Sequence, residues 1–436
     1  MTKNHQRLLI AIAVVVAIMA FGAGTLTGMG VGRGPLLTTA ARVAQITSGT
    51  FESRKDINIP PVTNLNALQV IWEVREKIKQ QFVYPIKDDK KLTYGAVRGM
   101  LASLDDPYTR FLDPEEFHDF RTDNSGHFDG IGAVLESKPD DKTGRDDVII
   151  SSILPEGPAA KTTLQSGDII LKVDDTIVDG MTLTGVVKLI RGVRGTPVKL
   201  TVLRKASEKP IEITIVRANV EVKVVEYKML DPDKKIGYIW LRQFNQNAVK
   251  EMRLALDDLT KQGMKGLVFD LSIDPGGILD AAIDIGSMFI DKGPIVWTKQ
   301  RGEEAKPLNA IPGACIDKSI KMITLIDGGS ASASEIVAGA LQDSGRSKLC
   351  GQYSFGKAKV QTICELQDDS ALILSTALYL MPKMRDISIK DAGGKRGLKP
   401  DVMFPEPDPT KTDIKFKDWH ESQVDQAKAE LLKLMK

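Results

Sequence analysis

Apolar positions along this chain fall into three patterns, and each predicts a different kind of element. Short unbroken runs bounded by glycine or charge lie at residues 236–241, 266–271 and 322–326. Runs of that length read as strands buried on both faces, as in a parallel sheet covered by helices. A second pattern repeats every three to four residues, at Leu68, Ile71, Trp72, Val74 and Ile78, then over residues 92–104, 249–262 and 335–341. It returns near the end at Ala427, Leu431, Leu432 and Leu434. These stretches read as helices with one apolar stripe. The third pattern fills residues 121–219, where a glycine loop at 128–135 runs into a strand. Further strands follow at 148–153, 167–174 and 198–204, and a short helix at 183–190 ends in a turn at 191–197.

From residue 220 onward strands alternate with helices, which argues for an α/β core with a largely parallel sheet. The expected organisation is α/β and multidomain. An N-terminal segment covers residues 1–34, a linker with Pro60-Pro61 covers 35–62, and a helical region covers 63–120. A β-domain follows at 121–219, the core at 220–405, and a charged linker with an amphipathic helix at 406–436. That last helix is expected to pack on the body or on a partner chain.

The N-terminus has its own logic. Lys3 and Arg7 precede an apolar run at 8–21 that continues through small residues to about position 30. The stretch approaches the ~20 residues that span a bilayer, and no crisp Ala-x-Ala cleavage site follows it. A cleaved signal peptide and a retained single-pass anchor are both open, with the balance toward the anchor. Either way the body is expected to be exported, to the periplasm or another extracytoplasmic space.

Composition narrows the chemistry. A net charge of +2 over 436 residues leaves no nucleic-acid footprint. Cys315, Cys350 and Cys364 lack metal-ligand spacing. A disulfide between Cys350 and Cys364 and three reduced thiols are equally open. No metal or organic cofactor is implied.

Candidate chemistry gathers in three pieces of the core. Behind the strand at 322–326 comes Asp327-Gly328-Gly329-Ser330-Ala331-Ser332-Ala333-Ser334-Glu335, then a helix. Small residues at a strand-to-helix turn expose a serine beside the unpaired N–H groups of a helix start, which hold a negative oxygen. The alternative is a tight turn with a capped helix and no chemistry. A reactive serine needs a base, and the four histidines, His5, His118, His127 and His420, leave residues 128–419 without one. Lys357, four residues before Gln361 in Ser354-Phe355-Gly356-Lys357-Ala358-Lys359-Val360-Gln361, serves instead if burial lowers its pKa. A solvated surface lysine is the alternative. Upstream, Asp274-Pro275-Gly276-Gly277 follows a strand, and its paired glycines let backbone approach a ligand closely.

Together these pieces closely resemble the carboxy-terminal processing peptidases, or tail-specific proteases. That family carries a Pro-Gly-Gly turn, a Ser-Ala-Ser-Ala-Ser-Glu turn and a Ser-Phe-Gly-Lys segment in this order. The resemblance implies Ser332 as nucleophile, Lys357 as general base and Gln361 as the residue orienting the lysine. It implies oxyanion donors at Ala333 N–H and at one of Gly276 or Gly277, on a crotonase-like core akin to the caseinolytic-type proteases. Asp327 stands where the family often has Asn, and Ser272 and Asp274 stand where an Arg and an Asn are common. The segment 105–117 also resembles a family segment, and residues 397–402 resemble one that closes the core; neither is assigned chemistry.

Residues 121–219 resemble a PDZ domain, which implies capture of a peptide C-terminus by backbone N–H groups and addition of the peptide to a sheet edge. Gly130, Ile131 and Gly132 would form the carboxylate loop, and Val134 and Val187 the side-chain pocket. A structural β-domain with an unused edge is the alternative. Arg191, directly after the 183–190 helix, is expected either to gate the active site by holding the Gln361 carbonyl or merely to cap its own helix. The function expected is an exported serine endopeptidase acting on unstructured C-terminal tails. The rivals are an inactive PDZ scaffold on a peptidase-like core and a crotonase-type acyl-CoA enzyme. A homo-oligomer, an adaptor protein, and the membrane through a retained N-terminal segment are the further partners left open.

Overall fold

The computed structural model describes residues 65–139, 146–205, 207, 209–406 and 416–436. The expected N-terminal segment and linker lie outside these residues. Among the described ones, no helix is long and apolar enough to cross a membrane. The chain divides into two compact units: one holds residues up to Asn124 and from Val224 onward, the other Ser125–Lys223.

The larger unit begins with α1 (Leu65–Gln81) and α2 (Asp89–Ala102), separated by an irregular segment. The stripe on α1 is not core: Leu68, Ile71, Trp72 and Val74 are 44–61% exposed, because nothing among the described residues covers it. Then come β1 (Arg110–Leu112) and α3 (Pro114–Ser125).

The smaller unit holds β2 (His127–Gly130), β3 (Ala133–Pro139), β4 (Asp146–Ile153), β5 (Ile169–Val173) and β6 (Thr176–Ile177). It continues with α4 (Leu183–Ile190), β7 (Pro197–Leu203), β8 (Ile211–Val216) and β9 (Ala218–Glu221). Its main sheet runs β3-β4-β5-β7-β8, antiparallel throughout, so β3 is an edge strand. Val186 and Ile190 of α4 reach the same core as Ile150, Leu200 and Ile215.

The larger unit resumes with β10 (Val225–Asp231), β11 (Ile236–Leu241), α5 (Ala248–Lys261), β12 (Gly266–Asp270) and α6 (Leu279–Ser287). Next are β13 (Pro294–Gln300), β14 (Lys306–Asn309), β15 (Lys321–Ile326), α7 (Ala333–Asp343) and β16 (Lys348–Gly351). The last elements are β17 (Lys359–Glu365), β18 (Ala371–Leu380), β19 (Val402–Met403) and α8 (Phe416–Leu434).

One sheet runs β10-β11-β12-β15-β16-β19, parallel except at β10–β11. Every residue of β12 is buried, and all of β15 but Lys321. Unbroken apolar sequence is what such two-sided burial requires. Alternate residues Ile236, Tyr238, Val268, Ile323 and Leu325 pack against Val424, Ala427 and Leu431 of α8. The amphipathic end of the chain therefore covers one face of its own sheet.

A second, antiparallel sheet was not foreseen in the alternation of strands and helices. It joins β1, β18, β13 and β14, with β17 also on β18. Leu112, Phe117 and Phe120 close its core over Ala371 and Ile373, so the segment at 105–117 belongs to this sheet. No disulfide joins Cys315, Cys350 and Cys364. Cys350 is buried in β16 of the parallel sheet, whereas Cys364 lies in β17 of the antiparallel one.

Candidate active site

The turn after β15 is organised by Asp327, whose Oδ1 accepts from the main-chain N–H of Ile273 at 2.9 Å, Gly329 at 2.8 Å and Ser330 at 3.1 Å. Ser330 Oγ donates to the Leu271 carbonyl at 2.8 Å, tying the turn to the end of β12. Ser332 then adopts φ 57° and ψ −113° immediately before α7. Such a backbone is costly for a residue with a Cβ and persists only where the surroundings enforce it. Ala333 follows as the first residue of α7, where main-chain N–H groups have no partner within the helix.

The glycine turn packs directly on this backbone. Gly276 and Gly277 have φ of 92° and 147°. A Cβ on Gly276 would stand 2.5 Å from Ala331 O, 2.7 Å from Ala333 N and 2.8 Å from Ser332 Cβ. Only glycine admits that approach. The Gly276 N–H is already engaged, donating to Asp274 Oδ1 at 2.8 Å. Gly277 forms a bridge with Phe244.

Glu335, in the first turn of α7, joins the serine turn to the lysine segment. Its Oε2 accepts from Ser332 N–H and from Lys357 N–H, each at 2.9 Å. Its Oε1 accepts from Ser354 Oγ and from Gly356 N–H, each at 2.6 Å. Burial raises the Glu335 carboxyl above its ordinary range, against the pull of these four donors. Glu335 had no role assigned from sequence, where the signal for it is its position three residues after Ser332, the spacing of a capping box.

Lys357 Nζ donates to Gln361 Oε1 at 2.6 Å. Gln361 Nε2 donates in turn to the main-chain carbonyl of Tyr108 at 2.6 Å. An amide is asymmetric, so a carbonyl on one side forces its own oxygen to the other, toward the lysine. The segment around Tyr108 is pinned as well: Lys359 Nζ pairs with Asp106 Oδ1 at 2.8 Å, and Thr109 Oγ1 donates to Asp106 Oδ2 at 2.6 Å. Lys357 Nζ lies 5.3 Å from the centre of the Tyr108 ring. Burial, joined by the positive charge of Arg110, pushes Lys357 down to about 8 against the opposing charges of Glu335 and Asp106. The 105–117 segment, to which the sequence reading assigned no chemistry, thus supplies an acceptor for Gln361 and a charge beside the lysine.

His420 takes no part in this network. It lies on α8, its Nε2 2.8 Å from Asp270 Oδ2, its ring tilted against Trp240 and stacked on Phe416. His118 is exposed on α3, and His127 lies in the smaller unit.

In that smaller unit Gly130 ends β2, Ile131 is buried, and Gly132, at φ 72°, packs against Gly157. Val134 is 45% exposed on edge strand β3, and Val187 lies on α4, which packs beside that strand. Arg191 ends α4 with its guanidinium 5.5 Å from the Phe128 ring centre. The last-turn carbonyls of Leu189 and Ile190 accept from Arg217, at 3.1 and 2.7 Å. Arg217, which sequence reasoning missed, is thus a cap of that helix.

Three family models match the chain: Peptidase family S41 over residues 235–404, PDZ domain over 122–203, and Activating protease CtpB N-terminal domain over 24–116. A carboxy-terminal-processing protease of Bartonella bacilliformis is 39% identical over 345 residues, covering 78% of this chain and 75% of the relative. The carboxyl-terminal-processing protease of Synechocystis sp. is 34% identical over 338 residues, covering 77% and 75%. This chain belongs to the carboxy-terminal processing proteases. Like them it is a serine-type endopeptidase of family S41, with a PDZ domain for binding peptide C-termini on a mixed α/β framework. A putative S41 protease from Bacteroides fragilis NCTC 9343 shares the fold at TM-score 0.51 and 18% identity, covering 81% of this chain and 95% of that one.

Proposed function

We propose that this protease cuts exported proteins near unstructured C-termini, with Ser332 as nucleophile and Lys357 as general base. The observation that carries this reading is the chain Lys357–Gln361–Tyr108, in which a lysine lowered to about 8 is held by a side chain that accepts its hydrogen bond. Neutral Lys357 Nζ takes the proton of Ser332 Oγ as the oxygen attacks the scissile carbonyl carbon. The tetrahedral oxyanion is held by the N–H groups of Ala333 and Gly277; Gly277 is preferred because Gly276 N–H is bound to Asp274. On collapse the ammonium returns its proton to the leaving amine and an acyl ester remains on Ser332. Lys357 then accepts a proton from water as its oxygen adds to the acyl carbon, and gives that proton to Ser332 Oγ as the ester bond breaks and the acid leaves.

Burial of the parallel sheet, with a serine turn at the C-terminal end of β15, supports a crotonase-like core. The exposed edge of β3 beside α4 supports strand addition of a tail, with Gly130, Ile131 and Gly132 at its carboxylate and Val134 and Val187 at its last side chain. Residues 8–21 support export, to the periplasm or a like compartment. Arg191 is a gate rather than a cap in this reading, a view supported by Arg217 holding the helix-end carbonyls. The test is digestion of an unfolded exported protein, with fragments identified by mass spectrometry. Fragments ending at internal sites, absent with Ser332→Ala and with Lys357→Ala, are expected; undiminished cleavage by folded Lys357→Ala would sink the dyad. Arg191→Ala should slow turnover of a short peptide with little change in Tm.

A further inference from the structure

Three aspartates, Asp270, Asp274 and Asp327, are buried around the two turns, with relative exposures of 0%, 0% and 6%. They are not equally provided for. Asp327 Oδ1 accepts three main-chain N–H groups. Asp270 is met by the Tyr238 hydroxyl at 2.8 Å, the Ser272 N–H at 2.8 Å and the His420 ring at 2.8 Å. Asp274 has one donor, the Gly276 N–H at Oδ1, and its Oδ2 is buried with no hydrogen-bond partner. Ser334 Oγ is close enough to pull the carboxyl down, but its hydrogen bond goes to the Asp274 main-chain carbonyl, at 2.9 Å, as does that of the Ala331 N–H. The charges that act on Asp274 are those of Asp327 and Asp270, both of its own sign.

A buried carboxylate with one donor and negative neighbours is expensive, and the group takes up a proton instead. The position makes the charge matter. Asp274 holds the N–H of Gly276, whose Cα is packed on Ser332 and Ala333. A negative carboxylate there would face the oxyanion that forms during acyl transfer, in a dry site where like charges repel strongly.

We propose that Asp274 works as a neutral carboxylic acid in the wall of the oxyanion turn. Its Oδ1 ties back the Gly276 N–H so that the Gly277 N–H faces substrate, while Oδ2 keeps its proton and no negative charge enters the site. Asp274 is thus a positioning residue, and its proton is a second requirement for turnover beside the neutral amine of Lys357. Burial raises its carboxyl well above the usual range against the pull of the Gly276 and Ser334 donors, with the charges of Asp327 and Asp270 adding, in keeping with this. The acid limb of the activity profile then belongs to Lys357 and the alkaline decline to Asp274. This inference rests on the reading of Ser332, Ala333 and Gly277 as the reacting turn.

The test pairs a readout that needs no turnover with one that does. Difference infrared spectra at pH 7 between Ser332→Ala protein with and without Asp274→Asn should contain the carbonyl band of one protonated carboxylic acid. Absence of that band overturns the proposal. In the Ser332-intact enzyme, Asp274→Asn supplies the same acceptor without a titrating proton. It should keep kcat/KM on a short peptide within about threefold at pH 7 and abolish the alkaline decline. A loss of about 10²-fold in folded Asp274→Asn, as large as that from removing an oxyanion donor, or an unchanged alkaline limb, would overturn it too. If Ser332→Ala itself retained activity, the serine reading would fall, while the infrared band would still decide where the proton sits.

Discussion

The turn that carries Ser332 leaves a parallel strand buried along nearly its whole length, and its hydrogen bonds come from Asp327 and Ser330 within the same turn and from the end of β12 beside it. The segment that carries Lys357 leads into β17, an antiparallel strand that is half-buried along most of its length. Its ties run to Glu335, 22 residues earlier, and through Gln361 to Tyr108, 253 residues away. The two halves of the proposed dyad are therefore held differently. The turn of Ser332 is fixed by short-range hydrogen bonds and by packing against Gly276, which admits no added atom; Lys357 is fixed by a chain of long-range hydrogen bonds, which tolerates no wrong donor. Breaking each kind of support should leave a different signature.

The largest effect is expected from the proposed reacting groups themselves. Ser332→Ala and Lys357→Ala should each lower kcat by several orders of magnitude on a short peptide, with Tm kept within a few degrees. The double variant should be no slower than either single one, since the two act as a unit. Additive losses in that cycle would mean that they do not. In the wild type, kcat/KM should fall about tenfold per pH unit below about 8, because a lysine lowered to about 8 is protonated there and no longer a base. A flat profile between pH 6 and 8 would remove Lys357 from the base's role.

Next in size are the supports. Gly276→Ala forces a methyl to within 2.5 Å of Ala331 O, so the serine turn must move. A shift of about 1 Å costs on the order of 10²-fold in rate, and kcat should carry the loss because the tail-binding unit is untouched. Glu335→Gln tests the shared link. Each carboxylate oxygen of Glu335 accepts at least two donors, with the Tyr379 hydroxyl a third at Oε2, so an amide turns its NH₂ toward donors whichever way it flips. Stability should fall by about 1–3 kcal/mol, together with a loss of kcat. Wild-type melting and turnover in Glu335→Gln would show that the four bonds are not needed.

How much of this was legible follows from the same contrast. The serine turn and the glycine turn are local, each a strand, a few small residues and a helix, and the apolar runs and glycine pairs announced them. The core strands and α4 were legible for the same reason: period and punctuation lie within about ten residues. The Lys357 environment was not, because nothing near Gln361 in sequence says that its partner is a carbonyl at Tyr108. The antiparallel sheet that brings them together pairs β1 with β18 and β17 with β18. The apolar stripe of α1 was legible as a helix and misleading as core, since periodicity reports an apolar face and not what covers it.

The smallest effects sharpen the claim about the base. Gln361 takes the main-chain oxygen of Tyr108, and the aromatic ring lies over Lys357 and Lys359 at 5.3 and 5.6 Å. Neither feature uses the hydroxyl. Tyr108→Phe keeps the carbonyl and the ring and should leave kcat/KM within about twofold, the scale of a cation–π contact little altered. Asp106→Asn keeps the Tyr108 side chain but weakens the Lys359 ion pair that pins its segment, together with the acceptor of the Tyr108 N–H at 3.3 Å. Burial alone would raise Asp106, yet the Lys359 and Thr109 hydrogen bonds hold it well below the ordinary carboxylate range. Asp106 is therefore ionised throughout the pH range in which Lys357 titrates. Losing it lets the Tyr108 carbonyl drift and Gln361 with it, for a fall in kcat of about tenfold at unchanged KM, a cost of about 1.4 kcal/mol in the barrier. A large loss in Tyr108→Phe with none in Asp106→Asn would put the role in the phenol rather than in the main chain, and the lysine would then be held by the ring and not by the amide.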